Sequence, residues 1–181
     1  FKVFTIPNKY PKNILQSKKK IIIGFDPKLH TEKQLEFLFK IKNIHLRSIK
    51  HNLIDLIWAR KTKSSSKPFY SMSVKNSGAR SIKKIRKVKN VLLKNKADYM
   101  LVTAPENIAW ILNIRGHDSS YSPTPNARLL ISKKGDVDLF ANPKKLTNIK
   151  TNNVRIHNEK KIENMLSIIS RKNIWLDTIS C

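Results

Sequence analysis

The chain has 181 residues, with 37 Lys and Arg against 12 Asp and Glu, for a formal charge of +25. That length holds one ordinary domain, or one domain and part of another, and 40 % apolar residues suffice for a packed core. The single cysteine, Cys181, excludes an internal disulfide and a cysteine-based zinc site, and fits a reducing compartment.

The charge points to an acidic partner such as nucleic acid or an anionic membrane. Abundant Lys, Ile and Asn together are also what an AT-rich coding sequence gives, and the lysines are spread along the chain rather than massed in one arm. No aromatic residues interleave with the basic ones, as a single-strand stacking platform requires. Nucleic acid is therefore not the expected partner. The opening "FKVFTIPNKYPK" lacks the charged leader and apolar stretch of a signal peptide, and no apolar run reaches the ~20 residues of a membrane helix. A cytoplasmic protein without a membrane partner is expected. The chain opens on Phe1 and stops at Cys181 just past a predicted strand, which reads as two cut ends.

"KKIIIGFD" (19–26) predicts a buried strand closed by Gly24 and Asp26. "LHTEKQLEFLFKIK" predicts a helix, with Thr31 and Gln34 in capping-box spacing and Leu35, Leu38 and Ile41 on one face. "IHLRSIK" is a second strand and "NLIDLIW" (52–58) a short amphipathic helix. Residues 59–79, rich in Ser and Lys and without apolar periodicity, read as a connection at a domain boundary. Residues 80–96 predict a basic amphipathic helix, apolar at Ile82, Ile85, Val88, Val91 and Leu92. "ADYMLVTA" is a strand. "PENIAWILN" is a buried helix with Pro105 in its first turn and Thr103 and Glu106 in capping-box spacing. "NARLLISKKGDVDLFANP" predicts a hairpin around Lys134-Gly135. Strand "NVRIHN", helix "EKKIENMLSIISR" and strand "NIWLD" follow. The alternation is that of an α/β fold.

The four glycines are too scattered for a phosphate loop, and there is no G-x-S-x-G elbow. Three pairings have ligand types suited to metal: His117-Asp118, Asp136-x-Asp138 and His157-x-Glu159. Each has an ordinary structural reading, because a metal site needs three or more convergent ligands. Glu159 and Glu163, one helical turn apart on a polar face, make no better acid–base pair. The residues alone show no complete active site.

At "ENIAWILNIRGHDSSYSPTPNARLLI" (106–131) the sequence resembles the Xaa-Pro aminopeptidases in their long, three-domain form. "IGFDPKLHT", "HNLIDLIW", "SIKKIRKVKNVLLKNKADYMLVTAPENIAW" and "NIWLDTIS" are similar to further family stretches in the same order. The family usually carries Asp-Arg-Pro after the Trp, where this chain has Ala59-Arg60-Lys61-Thr62, which bears on the stiffness of the link.

The resemblance implies creatinase/prolidase N-terminal-like domains, each a mixed β-sheet flanked by helices. Residues 1–60 would be the C-terminal part of the first domain, 61–79 a linker, and 80–181 most of the second. It implies a non-catalytic region that helps form the cleft, restricts substrates and supports a homodimer. Its partners would be the catalytic domain of the same chain and peptides with proline at the second position. The cofactor, two divalent ions expected to be manganese, belongs to a pita-bread catalytic domain absent from these residues, so no metal ligand or catalytic residue is expected here. Asn113, Arg115, Gly116, His117 and Asp118 would lie at the lip of the substrate cleft. There Arg115 would offer a forked cation to a carboxylate. The alternative is an Arg115–Asp118 pair that only fixes the turn, with Gly116 supplying a positive φ. Two other functions stay open: a stand-alone basic module binding RNA or DNA through residues 80–96, or a non-catalytic partner of a full-length relative.

Overall fold

The computed structural model describes residues 2–58, 67–149, 153–178 and 180. They divide into two compact units, one formed by residues 1–62 with 178–181 and the other by residues 63–177.

The first unit opens with a short helix α1 (Pro11–Ile14) and then makes one β-α-β crossover: β1 (Ile21–Phe25), α2 (Glu32–Phe39) and β2 (Ile44–Ser48). β1 and β2 pair in parallel, Ile21 opposite Ile44. The expected capping box starts α2: Gln34 N donates to Thr31 Oγ1 at 3.3 Å and Thr31 N to Gln34 Oε1 at 3.1 Å. Leu35 of α2 is buried, whereas α3 (Leu53–Ile57) leaves Leu53, Ile54, Leu56 and Ile57 exposed.

The second unit is built on a five-stranded mixed sheet in the order β8-β7-β6-β4-β9. Its strands are β4 (Tyr99–Val102), β6 (Arg128–Ser132), β7 (Val137–Ala141), β8 (Val154–Asn158) and β9 (Ile174–Leu176). The β4–β6 and β6–β7 pairs are antiparallel, while β7–β8 and β4–β9 are parallel. The β6–β7 hairpin turns at Gly135, whose φ of 100° a side chain would oppose. Leu129, Ile131, Val137 and Leu139 face one core with Leu92 of α5 (Ser81–Lys94) and Ile108 of α6 (Pro105–Leu112). Leu130 and Phe140 face the other, packed with Met165 and Leu166 of α7 (Ile162–Ile168). The central strands are thus apolar on both faces, as a sheet covered on both sides demands.

Two expectations change. The mixed sheet flanked by helices is found, but the stretch expected to be a linker is, from residue 67 onward, part of the second unit. Phe69 is fully buried and its N–H donates to Lys145 O at 2.7 Å. β3 (Tyr70–Ser71) pairs antiparallel with β5 (Ile114–Arg115), and α4 (Val74–Ser77) ends at Gly78 with φ 74°. A two-residue strand carries no alternation to read, and Phe69 inserts singly. Ala59 to Lys61 and Thr62, the departure from the family pattern, lie outside the described residues. The cap of α6 also differs: Ala104, not Thr103, is its N-cap, with Pro105 at the first helical position as expected.

Replacing Phe69 by Ala should cost the second unit about 3–5 kcal/mol in a urea titration. Lys75→Ala, on the exposed surface of α4, should stay within about 0.5 kcal/mol of the parent.

Candidate functional site: the turn that closes helix α6

Helix α6 is apolar except at its entry, and Ile108, Ala109, Ile111 and Leu112 are buried. It stops because Asn113 turns left-handed, with φ 56° and ψ 39°. Asn113 is fastened on three sides. Its Nδ2 donates to Ala79 O at 2.8 Å, its carbonyl accepts from Met72 N at 2.7 Å, and its Oδ1 accepts from Lys84 Nζ at 2.6 Å. Lys84 also donates to Trp110 O at 2.7 Å and sits 4.5 Å from the Trp110 ring centre. A lysine from the basic helix is therefore buried, 3 % exposed, against the last carbonyls of α6, where a cation complements the helix dipole. Burial and then the charge of Arg115 hold its amine below the ordinary lysine value.

Arg115 follows in β5, half-buried. Its Nη1 donates to Ala109 O at 3.0 Å and to Ile114 O at 2.8 Å. Among the described residues no carboxylate pairs with Arg115 or Lys84. Gly116 does not have the expected positive φ; that conformation belongs to Asn113. Gly116 is required instead by close packing. A Cβ there would stand 2.8 Å from Pro125 Cα and 2.9 Å from Thr124 O, and Gly116 N donates to Pro123 O at 3.0 Å. Asp118 is not paired with Arg115 either. It forms a buried ion pair with Lys145 and accepts from Asn126 N at 2.7 Å. The imidazole of His117 is exposed and lies against Tyr70, ring centres 5.4 Å apart.

The turn thus separates into parts. Asn113, Gly116 and Asp118 hold its shape. Arg115 uses one guanidinium nitrogen on backbone, which leaves the Nε–Nη2 edge for a carboxylate.

The structure joins two of the other pairings. Asp138 and His157 belong to neighbouring parallel strands and meet at 2.7 Å, while Arg155 grips both Asp138 oxygens at 2.7 and 2.8 Å. Burial alone would raise Asp138, but hydrogen bonds and charge from Arg155 and His157 hold it below 3.8. His157 also stacks on Phe140. Asp136 instead accepts from Ser132 Oγ at 2.9 Å in the hairpin. Among the described residues no three His, Cys, Asp or Glu gather as metal ligands, so a two-ion centre does not fit these side chains.

Sequence reading missed Lys84, Lys145 and Arg155. A buried lysine inside a basic run has no signature of its own, and cross-strand partners such as Asp138 and Arg155 appear only with the register.

Lys84→Met should destabilise the second unit by about 1–3 kcal/mol, since Trp110 O and Asn113 Oδ1 lose their donor. The folded amine titrates below 10.5, so the unfolded chain binds more protons just under that value. Stability of the parent should accordingly gain from Lys84 as pH rises toward 10.5, and the Met variant should lack that gain in unfolding curves taken across the range.

Residues 60–181 match the creatinase/prolidase N-terminal domain. The chain is 30 % identical over 144 residues to the Xaa-Pro aminopeptidase app-1 of Caenorhabditis elegans, covering 75 % of this chain and 23 % of that protein. It is 30 % identical over 143 residues to the Xaa-Pro aminopeptidase ApepP of Drosophila melanogaster, covering 74 % and 23 %. The crystal structure of the C. elegans X-prolyl aminopeptidase, described as a cytosolic enzyme with a di-nuclear active site, superposes with a TM-score of 0.77 at 26 % identity. That likeness covers 91 % of this chain and 29 % of the enzyme. The chain therefore spans less than a third of the length of these relatives. It belongs to the creatinase/prolidase N-terminal domain family, and its homologues are Xaa-Pro aminopeptidases.

Proposed function

We propose that the chain is the non-catalytic N-terminal region of a cytoplasmic, metal-dependent Xaa-Pro aminopeptidase. The first unit is part of a first domain and the second unit is most of a second domain. Both serve a catalytic domain that lies outside these residues and holds two divalent ions, manganese by expectation. The observation that carries this reading is the likeness to the C. elegans enzyme along nearly the whole chain.

In this reading the α6–β5 turn forms a lip of the substrate cleft in the homodimeric enzyme. Substrates are peptides with proline at the second position, and the turn limits which of them enter. Arg115 carries the chemistry: its Nε–Nη2 edge takes a peptide carboxylate or a carboxylate of the catalytic domain. Lys84 adds a second positive charge behind it. His117 is the exposed neighbour.

The 181-residue chain should release no N-terminal residue from a Xaa-Pro tripeptide, with or without added manganese; authentic cleavage by the pure chain would end this reading. In the longer protein, Arg115→Ala should raise KM for such a tripeptide roughly tenfold or more, beside a stability loss of about 1 kcal/mol from the two carbonyls it leaves without their donor. An unchanged KM with a clear loss of stability would assign Arg115 to the turn alone.

A further inference from the structure

We propose that Tyr70 decides which peptides the Arg115 edge accepts: its ring seats an aromatic side chain on the C-terminal residue of a short peptide, while Arg115 takes that residue's carboxylate. The inference rests on the reading of the α6–β5 turn as a lip of the substrate cleft, and it narrows the substrate class.

The stretch around Tyr70 has no apolar period, so its place beside Arg115 comes only from strand pairing. β3 runs antiparallel to β5, with Tyr70 opposite Arg115 and Ser71 opposite Ile114. Directly opposed residues of such a pair share one face, their Cβ atoms about 5 Å apart. Successive residues of a strand point to opposite faces. Phe69 and Ile114 are both fully buried, which turns Tyr70 and Arg115 outward together. The backbone beneath them is fixed on both sides. Phe69 N donates to Lys145 O at 2.7 Å, and Met72 N donates to Asn113 O at 2.7 Å.

The ring is positioned as well. His117 follows Arg115 by two residues, and its imidazole lies 5.4 Å from the Tyr70 ring centre with the planes inclined by 33°. Tyr70 is 39 % exposed, and among the described residues neither ring makes a hydrogen bond or ion pair. Asn113 and Asp118 are consumed in holding the turn. Tyr70 is not.

A cation and an aromatic ring side by side match two groups that leave a single Cα. Those are the carboxylate and the side chain of a C-terminal aromatic residue. The guanidinium edge receives the two carboxylate oxygens as a fork. The Tyr70 ring meets the peptide's ring by offset or edge contact, which an aliphatic side chain cannot reproduce. An internal residue of a longer peptide lacks the carboxylate. The class selected is therefore the tripeptide with proline second and an aromatic residue third.

The test is steady-state kinetics of the longer protein on Ala-Pro-Phe, Ala-Pro-Ala and the C-terminal amide of Ala-Pro-Phe. KM for Ala-Pro-Phe should lie about three- to tenfold below that for Ala-Pro-Ala. Amidation should raise KM roughly tenfold. Tyr70→Leu should erase the preference for Phe over Ala, Tyr70→Phe should keep it, and His117→Leu should reduce it by releasing the ring. A Tyr70 that only packs would shift thermal unfolding and leave the preference as in the parent. The proposal is overturned if the parent shows no preference, if Tyr70→Leu retains it, or if acid and amide share one KM. Failure of the lip reading looks different. Arg115→Ala would then leave KM unchanged for all three peptides, and this proposal would go with it. A raised KM in Arg115→Ala beside a preference untouched by Tyr70→Leu would sink the Tyr70 assignment alone.

Discussion

The ammonium of Lys84 is the constraint on which the corner at the end of α6 depends. An apolar helix driven into a core must end somewhere, and its last carbonyls then need donors that are not water. Lys84 supplies Trp110 O with that donor and fixes Asn113 in the left-handed conformation. Asn113 in turn receives Met72 N and reaches Ala79 O. One cation therefore ties the start of α5, the end of α6 and the chain around β3 into a single corner. The cost is a charge taken out of water beside Arg115, visible in the lowered proton affinity of the amine.

The same logic explains how so basic a chain packs. Three of its acids are engaged by cations within the second unit. Asp118 neutralises buried Lys145, Asp138 is held between Arg155 and His157, and Asp98 meets Lys133. The first two pairings tie together segments remote in sequence, and the third joins the start of β4 to the end of β6. The acids so engaged cannot offset the lysines of α5.

Regular elements are legible in the sequence because period and turn chemistry agree. Thr31 and Gln34 announce α2, Pro105 opens α6, and Lys134-Gly135 marks the hairpin. Individual placement is not legible in the same way. Ile82 and Val91 read as core and are 47 % and 41 % exposed, while Lys84 reads as solvated and is buried. Along α5 the hydrophobic pattern fixes only a stripe, and a long amphipathic side chain can bury itself wherever acceptors await it. Phe69 escapes for a related reason: a single aromatic between serines and lysines shows no period, yet its burial is complete.

The polar run after α6 shows how a motif and a site differ. Asn113 and the run from Arg115 to Asp118 stand together in sequence, and on spacing alone each could face a ligand. Geometry divides them by what each already does. Asn113 is engaged through both its backbone and its amide, Gly116 makes room for the 123–125 backbone, and Asp118 neutralises a buried lysine. A side chain committed in that way cannot also meet a substrate without unfastening the turn. Arg115 is different because a guanidinium has more donors than its two carbonyl partners use. The turn's capacity to recognise anything therefore reduces to surplus hydrogen-bonding valence, and that surplus sits on the residue whose position Asn113, Gly116 and Asp118 secure.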